Sequence, residues 1–197
     1  AFADNSGGVT TLDTADVLAI LKTGTALTLE ASHDIGWYAS IADWTPASGK
    51  GGALTLDAGD AVVMSGAFTT GDGDINIIVN DTEANGVIES DRGGDTAYVD
   101  LGSANLIMGA GNLSVVMRNG AYDDGGGGTA YTYGDRISLP FGPDYGSQLF
   151  SVHDVTLSIA PDVVDNLGSS SITFDSAIPA GGAVTLNTPS CHGGKVK

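Results

Sequence analysis

Apolar and small polar residues alternate in short runs through most of the chain, each run set between glycine, asparagine or aspartate. The clearest are Ala26-Leu27-Thr28-Leu29, Ala53-Leu54-Thr55-Leu56, Ile75-Asn76-Ile77-Ile78-Val79, Leu113-Ser114-Val115-Val116-Met117, Val155-Thr156-Leu157-Ser158-Ile159 and Val184-Thr185-Leu186. A period of two puts alternate side chains on opposite faces, so each run predicts a strand with one buried face. A different period comes first. Val17, Leu18 and Leu21 recur at helical spacing after Thr14, which can cap the first turn, and Gly24 stands where a helix would stop. The pattern predicts one short helix within residues 12–22, then strands.

The strands repeat. Gly24-Thr25-Ala26-Leu27-Thr28-Leu29-Glu30-Ala31-Ser32-His33-Asp34-Ile35 aligns with Gly51-Gly52-Ala53-Leu54-Thr55-Leu56-Asp57-Ala58-Gly59-Asp60-Ala61-Val62 at an offset of 27 residues. Looser copies open at Gly73-Asp74-Ile75, Gly111-Asn112-Leu113 and Gly182-Ala183-Val184, after intervals of 21, 38 and 71 residues. A unit of this length cannot bury its own apolar face, and stacking of successive units solves that problem. The expected fold is all-β, a parallel β-helix forming a single domain over residues 1–197, with residues 12–22 as its capping helix. The alternative is a β-sandwich whose strands share a Gly-x-x-Leu-Thr-Leu opening. The stretch 119–145, rich in glycine and tyrosine, is expected as an inserted loop, and 187–197 as a polar tail.

Composition narrows the function classes. The 24 Asp and Glu against 7 Lys and Arg give a net charge of −17. Such a chain cannot displace phosphate counterions, which argues against nucleic acid, and it is repelled by anionic membrane surfaces. No apolar run approaches the ~18 residues of a spanning helix, so membrane insertion is not expected. Hydrophobic residues nevertheless make up 42%, enough for a core. The single cysteine, Cys191, rules out an internal disulfide framework. Ala1-Phe2-Ala3 has the small-residue pattern found at secretory cleavage sites.

The segment from Val9 to Ile35, with its short helix followed by Gly24-Thr25-Ala26-Leu27-Thr28-Leu29-Glu30-Ala31-Ser32-His33-Asp34-Ile35, resembles the secreted filamentous-haemagglutinin-like exoproteins of bacteria. Gly51 to Val62 looks like the next coil of the same kind, and the resemblance is clearest over residues 9–80. It implies a right-handed parallel β-helix, secreted or at the cell surface, serving attachment or acting as a filament or matrix building block. Its partners would be further copies of itself, stacked end to end or continuing a longer β-helix, or cell-surface glycans. The matching motifs are architectural and carry no catalytic pattern.

A carbohydrate-active enzyme on the same scaffold is the alternative function. Glycosidic cleavage generally needs two carboxylates at a set separation, and Asp91, Asp95, Asp123 and Asp124 are available, but the Gly-His-Gly and Arg-x-Lys of polygalacturonases are absent. No catalytic residue is assigned. For metal, oxygen ligands on glycine-rich turns suit Ca2+, and the candidates are Asp72, Asp74, Asp81, Asp123, Asp124 and Asp135, although their spacing matches neither an EF-hand nor a glycine-aspartate calcium repeat. Haem is disfavoured: Cys191-His192 is half of an attachment signature, but Thr188 stands where its first cysteine belongs. For stacking on a sugar or partner, the aromatic candidates are Trp37, Trp44, Tyr122, Tyr131, Tyr133 and Tyr145; Trp37 and Trp44, with Tyr38 between them, are alternatively expected to be buried as a cap on the open end of the solenoid.

Overall fold

The computed structural model describes residues 8–82, 96–123, 126–127, 129–131, 134–139, 150–160, 171–173 and 182–187. The helix, α1 (Thr14–Leu21), buries Val17 and Leu21. Its N-cap is Asp13 rather than Thr14: Asp13 is extended, and its carboxylate accepts the Ala15 N–H at 2.8 Å. Gly24, at φ +80°, ends the turn in a conformation that side chains disfavour.

The alternating runs form two parallel sheets, and the chain moves between them. One contains β1 (Leu27–Ala31), β3 (Leu54–Ala58), β5 (Ile75–Val79), β7 (Leu113–Met117), β12 (Val155–Ile159) and β14 (Val184–Asn187), hydrogen-bonded in that order. The other runs β2 (Ile35–Asp43), β4 (Val62–Thr69), β6 (Ala97–Ile107), β10 (Gly134–Ser138) and β13 (Ser171–Thr173), with β11 (Phe150–Ser151) also beside β6. All pairs in both sheets are parallel, unlike the hairpin pairs of an antiparallel sandwich. β8 (Ala121–Asp123) and β9 (Thr129–Tyr131) make a separate antiparallel pair.

Register makes the core. Leu27, Leu54, Ile75, Leu113, Val155 and Val184 fall in one column of the first sheet, and Leu29, Leu56, Ile77, Val115, Leu157 and Leu186 in the next. From β3 to β12 these side chains are at most 1% exposed, whereas Leu27, Leu29, Val184 and Leu186 in the outermost strands are only partly buried. Each fully buried side chain of this size contributes about 1.5–3 kcal/mol. The second sheet adds Val62, Met64, Phe68, Val99, Leu106 and Ile137 to the same cluster.

The glycines before the strands are explained by closeness rather than by φ. Gly52, Gly73 and Gly111 precede β3, β5 and β7 in equivalent positions, and a Cβ on each would collide with the backbone carbonyl of its counterpart one strand earlier: Thr25, Gly52 and Gly73 respectively. The next residue supplies a side-chain ladder. Asp74 Oδ1 accepts the Asn112 N–H at 2.9 Å, Asn112 Oδ1 accepts the Asp154 N–H at 3.2 Å, and Asp154 Oδ1 accepts the Ala183 N–H at 2.8 Å. Corner N–H groups that the sheet cannot satisfy are thus satisfied by the neighbouring unit.

Two expectations need adjustment. The stretch 119–145 is not simply a loop, because β8, β9 and β10 lie within it and β10 joins the second sheet through Ile137, paired with Val99 and fully buried. Its five residues carry one inward apolar side chain, too faint a pattern to stand out among glycines. The 71-residue interval before the last copy also divides: β12, 42 residues after β7 and 29 before β14, occupies the gap with His153-Asp154 in place of the glycine opening.

Candidate functional site

Both tryptophans face inward. Trp44 is 0% and Trp37 is 8% exposed; their rings stack with centroids 6.2 Å apart, and Trp37 meets Phe68 edge-on at 5.6 Å. Trp44 Nε1 donates to the Gly52 carbonyl at 3.2 Å, tying β2's end to the corner before β3. Neither ring presents a face to an outside ligand, so of the two readings of these tryptophans the buried one agrees with the structure and the stacking one is corrected. The alternation along Ile35-Gly36-Trp37 already put Trp37 on the apolar side. Of Tyr122 and Tyr131 only the backbone, in β8 and β9, is described, and Tyr133 and Tyr145 lie outside the described residues.

The acidic candidates serve the corners. Asp72 Oδ1 accepts the Ala110 N–H at 2.9 Å; Asp74 Oδ1 holds Asn112 while its Oδ2 receives Lys50 Nζ at 3.1 Å; Asp81 lies 3.5 Å from Arg118 Nε. The structure does not gather these three around one point. Asp123 and Asp135 are described only as backbone in β8 and β10, and Asp124 lies outside the described residues. Among the described residues, the group whose donor atoms do converge is His33, Asp34 and Asp60, all within 4.8 Å of one another. It arises from the repeat: His33 and Asp60 occupy the same corner position 27 residues apart, and the Asp60 N–H donates to the His33 carbonyl at 2.9 Å. His33 Nδ1 is 2.9 Å from Asp34 Oδ2, Asp34 Oδ1 accepts the Ala61 N–H at 3.0 Å, and Asp60 is 2% exposed. One imidazole nitrogen with two carboxylates is a donor set for a borderline divalent cation rather than for Ca2+, which prefers six or more oxygens.

Beside this corner, the outward face of the second sheet carries an open aromatic and charged surface. Tyr38 is 73% exposed, and its ring folds back along β2 over Gly36, where a Cβ would come within 2.6 Å of Cε2 and 3.2 Å of the hydroxyl. Tyr98, on β6, carries the Arg136 guanidinium from β10 above its ring, with Cζ 4.7 Å from the centroid, and Arg136 Nη2 lies 3.8 Å from Asp100 Oδ2. Partial burial raises the Tyr98 phenol above its ordinary value, Asp34 adds to the rise and Arg136 opposes it, so the hydroxyl keeps its proton at neutral pH. Sequence reasoning gave Tyr98 no role. The signal was there in the Tyr98-x-Asp100 and Gly36-x-Tyr38 spacings, which put each pair on one face of a strand.

The outward face of the first sheet carries Asp57, paired in register with Glu30 on β1. One of its carboxylate oxygens is out of reach of water and makes no hydrogen bond. Burial, then the charges of Asp81 and Glu30, push its pKa from 3.8 up to about 6 against the pull of Arg118.

No protein family, curated protein or solved structure matches the chain.

Proposed function

We propose that this protein is a non-enzymatic structural or adhesive scaffold, secreted or held at a cell surface, built as a right-handed parallel β-helix. The observation that carries the reading is the register of the first sheet, in which residues from Leu27 to Val184 fall in one column across six strands although the intervals between them vary. Alternation between two parallel sheets is what the winding of a solenoid would produce, and the general preference of parallel crossovers for the right hand supports that sense. Stability in such a stack is a sum over neighbouring units, which suits a spacer or a display surface more than a closed catalytic pocket. The resemblance of residues 9–80 to haemagglutinin-like exoproteins supports the extracellular setting.

On this reading the partners are cell-surface glycans or further copies of the chain. Partly buried apolar residues in the outermost strands, Leu27 and Leu29 at one side and Val184 and Leu186 at the other, favour end-to-end stacking as the self-contact. The test is to coat beads with the purified protein and measure attachment to cells and to glycan-coated surfaces. Attachment above that of uncoated beads, without release of reducing ends or unsaturated products, supports the reading. Polysaccharide cleavage that disappears when one aspartate or arginine is changed would establish the enzyme instead.

A further inference from the structure

We propose that Tyr38, Tyr98, Arg136, Asp34 and Asp100 form a shallow binding platform for a neutral pyranose glycan on the outward face of the second sheet. The proposal deepens the adhesive reading and rests on it for the ligand being an extracellular polymer.

Tyr38 is the first support. A large aromatic side chain left 73% exposed adds little to folding, yet here the backbone beneath it is kept bare for it by Gly36. Gly36 does not have a positive φ, so the backbone itself does not call for glycine there. The ring is what occupies the space of the missing Cβ. A ring laid along a sheet in this way offers its face to the apolar C–H side of a sugar.

The second support is the set of polar groups farther across the same sheet, on β6 and β10, with Asp34 at the corner before β2. Arg136 over Tyr98 and near Asp100 supplies several donors beside an acceptor-only carboxylate. Asp34, whose charge acts on Tyr98, adds a further acceptor at the corner, and the Tyr98 hydroxyl both donates and accepts. Neighbouring sugar hydroxyls each donate and accept too, so alternating partners of both kinds fit them. Charge selects among sugars. Among the described residues of this surface Arg136 lies near Asp100 and Asp34 adds a second negative charge, in a protein of net charge −17, so uronates and sulfated glycans are repelled and neutral chains are not. Groups spread over β2, β6 and β10 suit several residues of a polymer more than an isolated monosaccharide.

Affinity electrophoresis and titration calorimetry with a neutral β-glucan, a neutral galactan and polygalacturonate test this. The expected result is binding to at least one neutral glycan and none to polygalacturonate. Tyr38→Ala should weaken binding about tenfold, the scale of one aromatic contact, and Tyr38→Phe should restore it. Gly36→Ala should weaken it as well, by lifting the ring from its seat, with circular dichroism and melting temperature unchanged. Failure of the wild type to bind either neutral glycan, or undiminished binding by Tyr38→Ala, overturns the proposal. The bead assay separates it from the adhesive reading: attachment to cells by a protein that binds neither neutral glycan upholds adhesion and overturns the platform alone. Glycan binding by a protein whose beads do not attach upholds the platform and overturns adhesion.

Discussion

Replacing Asp57 by asparagine should stabilise the protein at neutral and alkaline pH, and the gain should vanish in acid. In the folded chain Asp57 sits directly across from Glu30, near Asp81, with one oxygen dry and unbonded, and these surroundings lift its pKa from 3.8 to about 6. Between those two values the folded state holds a proton that the unfolded state has released. Stability contributed by this group therefore falls as pH rises from about 4 to about 6, and the deficit persists above that window. A shift of about two units corresponds to at most ~3 kcal/mol. Because the side chain is only half-buried, solvent screening reduces this to about 1 kcal/mol. For a chain of this length, that is roughly 2–4 °C in melting temperature. Asparagine keeps the size and removes the charge, so thermal unfolding of wild type and Asp57→Asn should differ by that amount at pH 8, the variant melting higher, and converge near pH 4. A variant that melts lower at pH 8, or by a margin independent of pH, would show that Asp57 is well solvated or paired and would refute the reasoning.

Other expectations follow from the corners and the core. Gly111→Ala should cost about 2–3 kcal/mol in urea unfolding, because the new Cβ meets the Gly73 carbonyl rather than a yielding side chain. Thr25→Ala, in the same column but in the outermost unit, should stay within about 0.5 kcal/mol. Asn112→Ala should cost about 1–2 kcal/mol by denaturant melt, since it removes the acceptor of the Asp154 N–H and a donor to Asp74. Tryptophan emission should be blue-shifted and resist iodide quenching until the protein unfolds, because Trp37 and Trp44 are both packed inside. Ready quenching of the native protein would contradict that packing.

The first sheet could be read from sequence because its strands are short, inward-facing at alternate positions and opened by the same corner. Leu54-Thr55-Leu56 and Ile75-Asn76-Ile77 pair as their alignment predicted. β12 was recognised as a strand but not as a copy, since His153 replaces the glycine and only Asp154, the rung after Asn112, preserves the corner. The second sheet was harder. Its strands are longer and irregular: β2 and β4 slip register between Ala39 and Ile41, and β6 shifts against both β4 and β10, so no fixed period survives. The proposed platform was hidden by the same cause. Tyr38 and Tyr98 are far apart in sequence, and they share one face of one sheet only because β4 lies between β2 and β6. Residue type alone leaves Trp37 and Trp44 open to either a stacking or a buried role, and the interior between two sheets is where such large apolar rings bury most surface.

The central claim, that the chain is a stack of parallel units in the order of its repeats, is tested most directly by distances between spin labels on one outward column. Thr28, Thr55, Asn76, Ser114, Thr156 and Thr185 occupy successive strands in register. Double electron–electron resonance on cysteine pairs at Thr28 and Thr156, and at Thr28 and Thr185, in a chain with Cys191 replaced, should give backbone separations of about 19 Å and 24 Å, one strand spacing apart. Narrow distributions in that order agree with the stack. Equal or inverted distances, or a Thr28–Thr185 separation under about 15 Å, as strands folded back on one another would give, contradict it.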